Sequence, residues 1–148
     1  MIAENHQIAY RNVASKLYNF LPEEIDIALK DFDTILTDHG YHPTGPIFFT
    51  IISDPTAEVM TAELFLPIAE TQFSIPKEEE VNFRSYFYVN NLLSTRIIND
   101  FDEQSQVKYW ELFDYMNEHN MTQKTPVFVQ FKKTNSNRTY AEMSLGVL

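Results

Sequence analysis

The sequence predicts an α+β fold of two tandem strand–helix–strand–strand units, giving an antiparallel-rich sheet with both helices packed on one face. Two observations carry this prediction. Each of two helical apolar stripes is followed by a dense β-branched and aromatic run and then by an alternating strand. The residues of the first set also return in the second at near-constant spacing. His39-Gly40-Tyr41 reappears 80 positions on as His119-Asn120-Met121, and Gly45-Pro46-Ile47-Phe48-Phe49 reappears as Thr125-Pro126-Val127-Phe128-Val129. Thr61-Ala62-Glu63-Leu64 is echoed 79 positions on by Tyr140-Ala141-Glu142-Met143, and Asn12-Val13-Ala14-Ser15 more loosely by Asn91-Leu92-Leu93-Ser94. The alternative is convergent patterning of two ordinary units. A chain of 148 residues suits one domain, here 1–148 with pseudo-repeats 1–70 and 79–148.

The elements follow in order. Asn5 to Leu17 alternates through Ile8, Tyr10 and Val13 and reads as a strand bulged near Asn12. Asn19-Phe20-Leu21-Pro22-Glu23-Glu24 reads as a helix start, with proline and acids in the first turn. Ile25, Leu29, Phe32, Ile35 and Leu36 then hold helical spacing, and Gly40 stops the helix. Residues 47–52 are a buried strand, Ser53-Asp54-Pro55-Thr56 a turn, and Val59 to Ile68 a returning hairpin strand. Residues 69–80, ending in three glutamates, are a connector. In the second half Val81 to Ile98 is strand-rich, and Asp100 or Asp102 caps a helix. Its stripe is Val107, Tyr109, Trp110, Leu112, Phe113 and Met116, and Asn120 ends it as Gly40 does. Residues 125–131 form a strand, Asn135-Ser136-Asn137 a turn, and Thr139 to Leu148 the last strand.

Composition narrows the function classes. With no cysteine, a disulfide framework, a cysteine zinc site and a thiol nucleophile are excluded. Three glycines and no Gly-x-Gly or Gly-Lys-Ser/Thr element argue against a phosphate-cradling loop. Residues 1–74 carry 3 Lys/Arg against 11 Asp/Glu, and residues 75–148 carry 8 against 10. So acidic a first half repels phosphate backbones, and no nucleic-acid partner is expected. The charge otherwise serves solubility, or presents an acidic face to a basic partner or cationic ligand. No signal peptide is visible at the start and no run spans a bilayer, so the expectation is a cytoplasmic chain with no membrane partner.

The Gly45-Pro46 pair ahead of the buried strand, the strand Ala62-Glu63-Leu64-Phe65-Leu66-Pro67 with its terminal proline, and the repeat spacing together resemble the GyrI-like superfamily. These are the effector-binding domains of multidrug-responsive bacterial regulators, and the resemblance covers nearly the whole chain. It implies a cleft between the halves that takes amphipathic, often cationic molecules through aromatic walls and a buried glutamate. Without an attached helix-turn-helix, the chain looks like a stand-alone member. It is also similar to Firmicutes proteins encoded near type VII secretion genes.

Glu142 is the first candidate for a pocket acid and Glu63 its repeat mate; a carboxylate among rings attracts a cation by charge and by cation–π contact. Both acids equally suit the solvent face of their strands. Tyr86, Tyr88, Trp110 and Tyr115 are the aromatic candidates. Tyr86 and Tyr88 share a strand face that lines a cleft or interface, unless the strand is buried on both sides. Trp110 lies on the apolar stripe of its helix and suits core packing. His39 and His42 lack a third ligand for a metal and suit the negative end of a helix. No cofactor is expected. No Gly-x-Ser-x-Gly or His-Glu-x-x-His element is present, so an enzyme is not expected; a few superfamily members hydrolyse strained molecules with a Tyr and a Glu, which would fall here on Tyr88 and Glu142. The expected partner is a small amphipathic or cationic molecule, or else a protein bound by an acidic, chaperone-like adaptor.

Overall fold

Two long strands organise the chain, β1 (Ala3–Phe20) and β4 (Asn82–Ile97), and both are interrupted by left-handed asparagines, Asn5 and Asn12 in β1 and Asn91 in β4. Strand side chains alternate with period two, yet Tyr10 and Val13, three apart, join the same cluster of side chains. Asn12 between them has φ 55°, a left-handed conformation that asparagine tolerates, and this irregularity carries the strand over to the other parity. In β4, Val89 and Leu92 flank Asn91, φ 59°, in the same way. The irregularity expected near Asn12 is present as a left-handed residue with a repeat mate at Asn91, but the pairing with β4 keeps its register there, and the register shifts fall between Ala3 and Ile8. The computed structural model describes residues 1–54 and 57–148. Of the turn expected at 53–56, Pro55 and Thr56 lie outside the described residues.

The remaining strands are β2 (Phe48–Ile51), β3 (Met60–Pro67), β5 (Gln123–Lys133) and β6 (Thr139–Val147). They close into a barrel in the order β1-β3-β2-β5-β6-β4, with every neighbouring pair antiparallel. Ala9 faces Tyr88 across β1 and β4, and Phe49 faces Val129 across β2 and β5. Both are pairs of repeat mates. The duplication thus appears in space as a pseudo-twofold axis running through the two places where the halves pair. The α+β expectation holds, and the sheet additionally closes on itself. Alternation sets which way a side chain points but not which strand lies beside it, so closure was not readable from the pattern.

α1 (Ile25–Asp38) buries Ile25, Ala28, Phe32 and Leu36, and α2 (Phe101–Glu118) buries Leu112 and Met116. Both helices end alike. Gly40 (φ 84°) and Asn120 (φ 54°) take the left-handed position, and the next amides, of Tyr41 and Met121, donate back to Leu36 O (3.0 Å) and Met116 O (2.8 Å). His39 Nδ1 lies 2.8 Å from Ile35 O and His119 Nδ1 lies 2.9 Å from Tyr115 O, so each ring adds a second contact to a carbonyl that already accepts from the histidine's own amide, at the negative end of its helix. The starts differ from expectation. Asn19 and Phe20 are the end of β1, and a single 3-10 turn (Pro22–Glu24) precedes α1. Asp100 stands at the start of α2 in a left-handed conformation, without a side-chain cap bond. Among the described residues no helix is long and apolar enough to cross a membrane.

Two layers of core result. Phe49, Ile51, Ala62, Leu64, Leu66, Val127, Val129, Met143 and Leu145 face the two helices. The opposite faces of β2, β3 and β5, together with β1 and β4, contribute Ile8, Val13, Phe48, Phe65, Phe87, Leu92 and Phe128. A six-stranded barrel has room inside only for side chains, so the helices lie outside and this second cluster fills the interior. Phe48 is its hub, stacked on Tyr10 (5.2 Å between ring centroids, 24°) and Phe65 (4.9 Å, 10°) and tilted against Phe87 (5.3 Å). Phe48→Ala is expected to cost about 3–5 kcal/mol in urea unfolding, because no neighbour can collapse into a space lined by rings.

Tyr18 ties β1 to α1 by donating to Asp31 Oδ2 (2.7 Å). Burial first, and then the Asp31 carboxylate, push its phenol well above the ordinary tyrosine range. Below pH 10 the phenol is neutral folded and unfolded, so its contribution is intact; as pH rises from there towards the folded value, the unfolded state ionises first and the contribution is lost. Tyr18→Phe should therefore lose about 0.5–1.5 kcal/mol at pH 7. Unfolding curves of the two proteins should converge above pH 10.

Candidate functional site

Alternation along β6 sends Ala141, Met143, Leu145 and Val147 to the helices and leaves Glu142 and Ser144 on the barrel's inner wall. Glu142 is only 5% exposed. A carboxylate so placed needs a counter-charge, and Lys132, two residues beyond its cross-strand neighbour Gln130, supplies one: Nζ donates to Oε1 at 2.9 Å. His6 Nε2 lies 2.7 Å from the same oxygen, off the line a hydrogen bond needs. Both side chains, His6 and Lys132, keep 29% of their surface in solvent. Tyr10 donates to Gln130 Oε1 at 3.1 Å, and burial raises its phenol above the usual range. Ser144 Oγ, fully buried on the same wall, has no partner among the described residues. The site is thus a buried acid beside a ring cluster, closed by two side chains that reach in from the rim.

The repeat mate Glu63 lies on the inner face of β3 with Phe65 and is partly exposed. Its counter-charge is Arg84, whose Nη2 lies 3.7 Å from Oε2. Both glutamates therefore face inward and not the solvent. Their cations are not repeat mates: the position equivalent to Lys132 is Ile52, and that equivalent to Arg84 is Asn5. Sequence reading named neither cation, nor the rings of Tyr10, Phe48, Phe87 and Phe128. Alternation carries a signal for some of them, since Phe128, Gln130 and Lys132 share one parity of β5.

The other aromatic candidates are not brought to this wall. Tyr86 and Tyr88 stack on each other (6.2 Å, 16°), about half exposed on the side of β4 opposite Phe87. The Tyr88 hydroxyl donates to Gln7 at 3.3 Å and not to Glu142. Tyr88 and His6 share the lining of a polar recess of about 390 Å³ with Asn5, Gln7, Asn90 and Lys124. Tyr115 donates to Glu4 (2.7 Å), and that carboxylate raises its phenol. The expectation that Trp110 packs in the core is corrected: it is 50% exposed, edge-on to Tyr109 and Phe113. The buried side of α2 is the Leu112–Met116 line, and a stripe broad enough to include Trp110 overruns what the sheet can cover. His39 caps α1 and His42 pairs with Glu70 (2.8 Å), so the two histidines serve separate partners.

The family described as Domain of unknown function, DUF5085, matches residues 9–147. The chain belongs to the DUF5085 family. No curated protein matches it in sequence. In fold, this DUF5085 chain is similar to EcmrR in the cryo-EM structure of an EcmrR–DNA complex in EcmrR-RPo, with a TM-score of 0.75, 14% identity and 99% of this chain covered. It spans 57% of that EcmrR chain. It is also similar to the crystal structure of the EcmrR C-terminal domain, with a TM-score of 0.71, 12% identity, and coverage of 100% of this chain and 97% of that one. The likeness is one of fold, and it agrees with the fold implied by the GyrI-like resemblance. None of these matches carries the likeness to secretion-associated Firmicutes proteins. The exclusion of nucleic acid drawn from charge is corrected: a chain containing this fold was solved bound to DNA. Net charge speaks for a domain alone and not for the larger chain or assembly that holds it.

Because Lys132 neutralises a buried acid, Lys132→Met should destabilise the protein by about 3 kcal/mol, the low end for a buried pair since Lys132 is partly in solvent. Adding Glu142→Gln should restore most of this loss in thermal unfolding at pH 7.

Proposed function

We propose that this DUF5085 chain is a binding module, not a catalyst, whose barrel interior receives a small amphipathic cation. Glu142 is its counter-charge, and the rings around Phe48 are its walls. The observation that carries the reading is a 5% exposed carboxylate on the inner wall, met among the described residues by side chains that reach in from the rim. A ligand cation that takes the place of the Lys132 ammonium keeps the acid paired, and its apolar body gains contact with the rings. The unpartnered Ser144 hydroxyl gives such a ligand a further polar contact. The rings fill the interior in the unliganded fold, so binding draws on a minor, opened state, and apparent affinity falls with that state's population. The GyrI-like resemblance, whose members bind molecules of this class, supports the reading.

A second reading has its own observation. Val107, Trp110 and Phe113 stand exposed on α2 among Asp102, Glu103, Glu111 and Asp114, a surface suited to a protein partner of an adaptor. Titration calorimetry with tetraphenylphosphonium separates the two. The cation reading expects Glu142→Gln to weaken binding about tenfold or more, and Trp110→Ala to leave it alone. Equal affinity in wild type and Glu142→Gln would remove Glu142 from the site.

A further inference from the structure

Glu63, the inward acid of the first half, lies beside a guanidinium and two rings drawn from both halves of the barrel. Arg84 Cζ lies 5.7 Å from the centroid of Phe65 and 5.8 Å from that of Phe87, while its Nη2 lies 3.7 Å from Glu63 Oε2. Two rings and a carboxylate around one guanidinium are the elements by which a site selects a planar organic cation over a compact, strongly hydrated one. Phe65 and Phe87 are tilted against each other at 4.9 Å and belong to the interior cluster, so they are held in place whether or not the guanidinium is there. Arg84 is not held so firmly: 48% of its side chain is in solvent, and its ion pair at 3.7 Å is a long one.

We propose that Glu63, Phe65 and Phe87 form a second cation site, open to planar guanidinium- or amidinium-bearing molecules, which Arg84 fills as an internal competitor. The two sites share the ring cluster but not their charged groups: Glu63 on β3 pairs with Arg84 and Glu142 on β6 pairs with Lys132, so the Glu63 site keeps its own acid whether or not Glu142 takes a ligand. Removing Arg84 frees the receptor without unmaking it, because the rings keep their packing and Glu63, partly exposed, keeps its access to water.

The test uses ethylguanidinium, followed by NMR at the amides of Glu63, Phe65 and Phe87. Arg84→Ala is expected to bind it saturably, about tenfold or more tighter than wild type. Adding Glu63→Gln removes that binding, and adding Glu142→Gln leaves it unchanged. Equal, unsaturable responses in wild type, Arg84→Ala and Arg84→Ala/Glu63→Gln overturn the proposal, and they do so alone if tetraphenylphosphonium still binds through Glu142. Should Arg84→Ala not fold, the wild type serves: the Arg84 Nε–H resonance moves to the position of free arginine as ethylguanidinium saturates, and a resonance that stays in place overturns the proposal.

Discussion

Closing six antiparallel strands into a barrel creates an interior that only side chains can fill, and most features of this molecule answer to that constraint. Along the strands side chains alternate between inside and outside, so each strand must give up one face to the inside while the other meets the helices or, as at Tyr86 and Tyr88, the solvent. Phe48, Phe65, Phe87 and Phe128 fill much of that volume, and Phe87 touches all three of the others. The left-handed turns at Asn12 and Asn91 exist for the same reason: without them, half of β1 and half of β4 would present the wrong face. Both asparagines sit at equivalent places of the duplication, so the re-phasing belongs to the repeated unit.

The same geometry raises an electrostatic problem. Glu63 and Glu142 occupy equivalent inward positions, and an inward carboxylate must be paired or protonated. Each acid is met from a different strand of the second half, Glu63 by Arg84 of β4 and Glu142 by Lys132 of β5. The acids are thus the shared feature of the two halves, whereas the cations are local answers. On this account the inner acids are what the fold offers a ligand, and the chain's own cations hold the place until one arrives.

Much of this was legible in the residues. The repeat offset gave the unit, and the equivalence of Gly40 with Asn120 and of Asn12 with Asn91 is visible in the backbone as matching positive φ angles. Alternation places Glu63 on one face with Thr61 and Phe65, and Glu142 on one face with Tyr140 and Ser144. It left open which face was inside, because a two-faced strand is silent on what packs against it until the sheet closes. Lys132 and Arg84 read as ordinary surface charges, since nothing local marks a long side chain that turns back to the rim. Trp110 misled because a helical stripe shows where apolar residues lie but not how wide a strip the sheet can cover.

The most direct test of the central claim is where a lipophilic cation sits on the wild-type protein. Intermolecular NOEs from tetraphenylphosphonium should reach the rings of Phe48, Phe87 and Phe128, which are otherwise sealed inside the barrel, and the Lys132 ammonium should lose its contact with Glu142. NOEs confined to Trp110 and Phe113 on α2, with the interior rings unperturbed, would contradict the account and place recognition on the outer helix face.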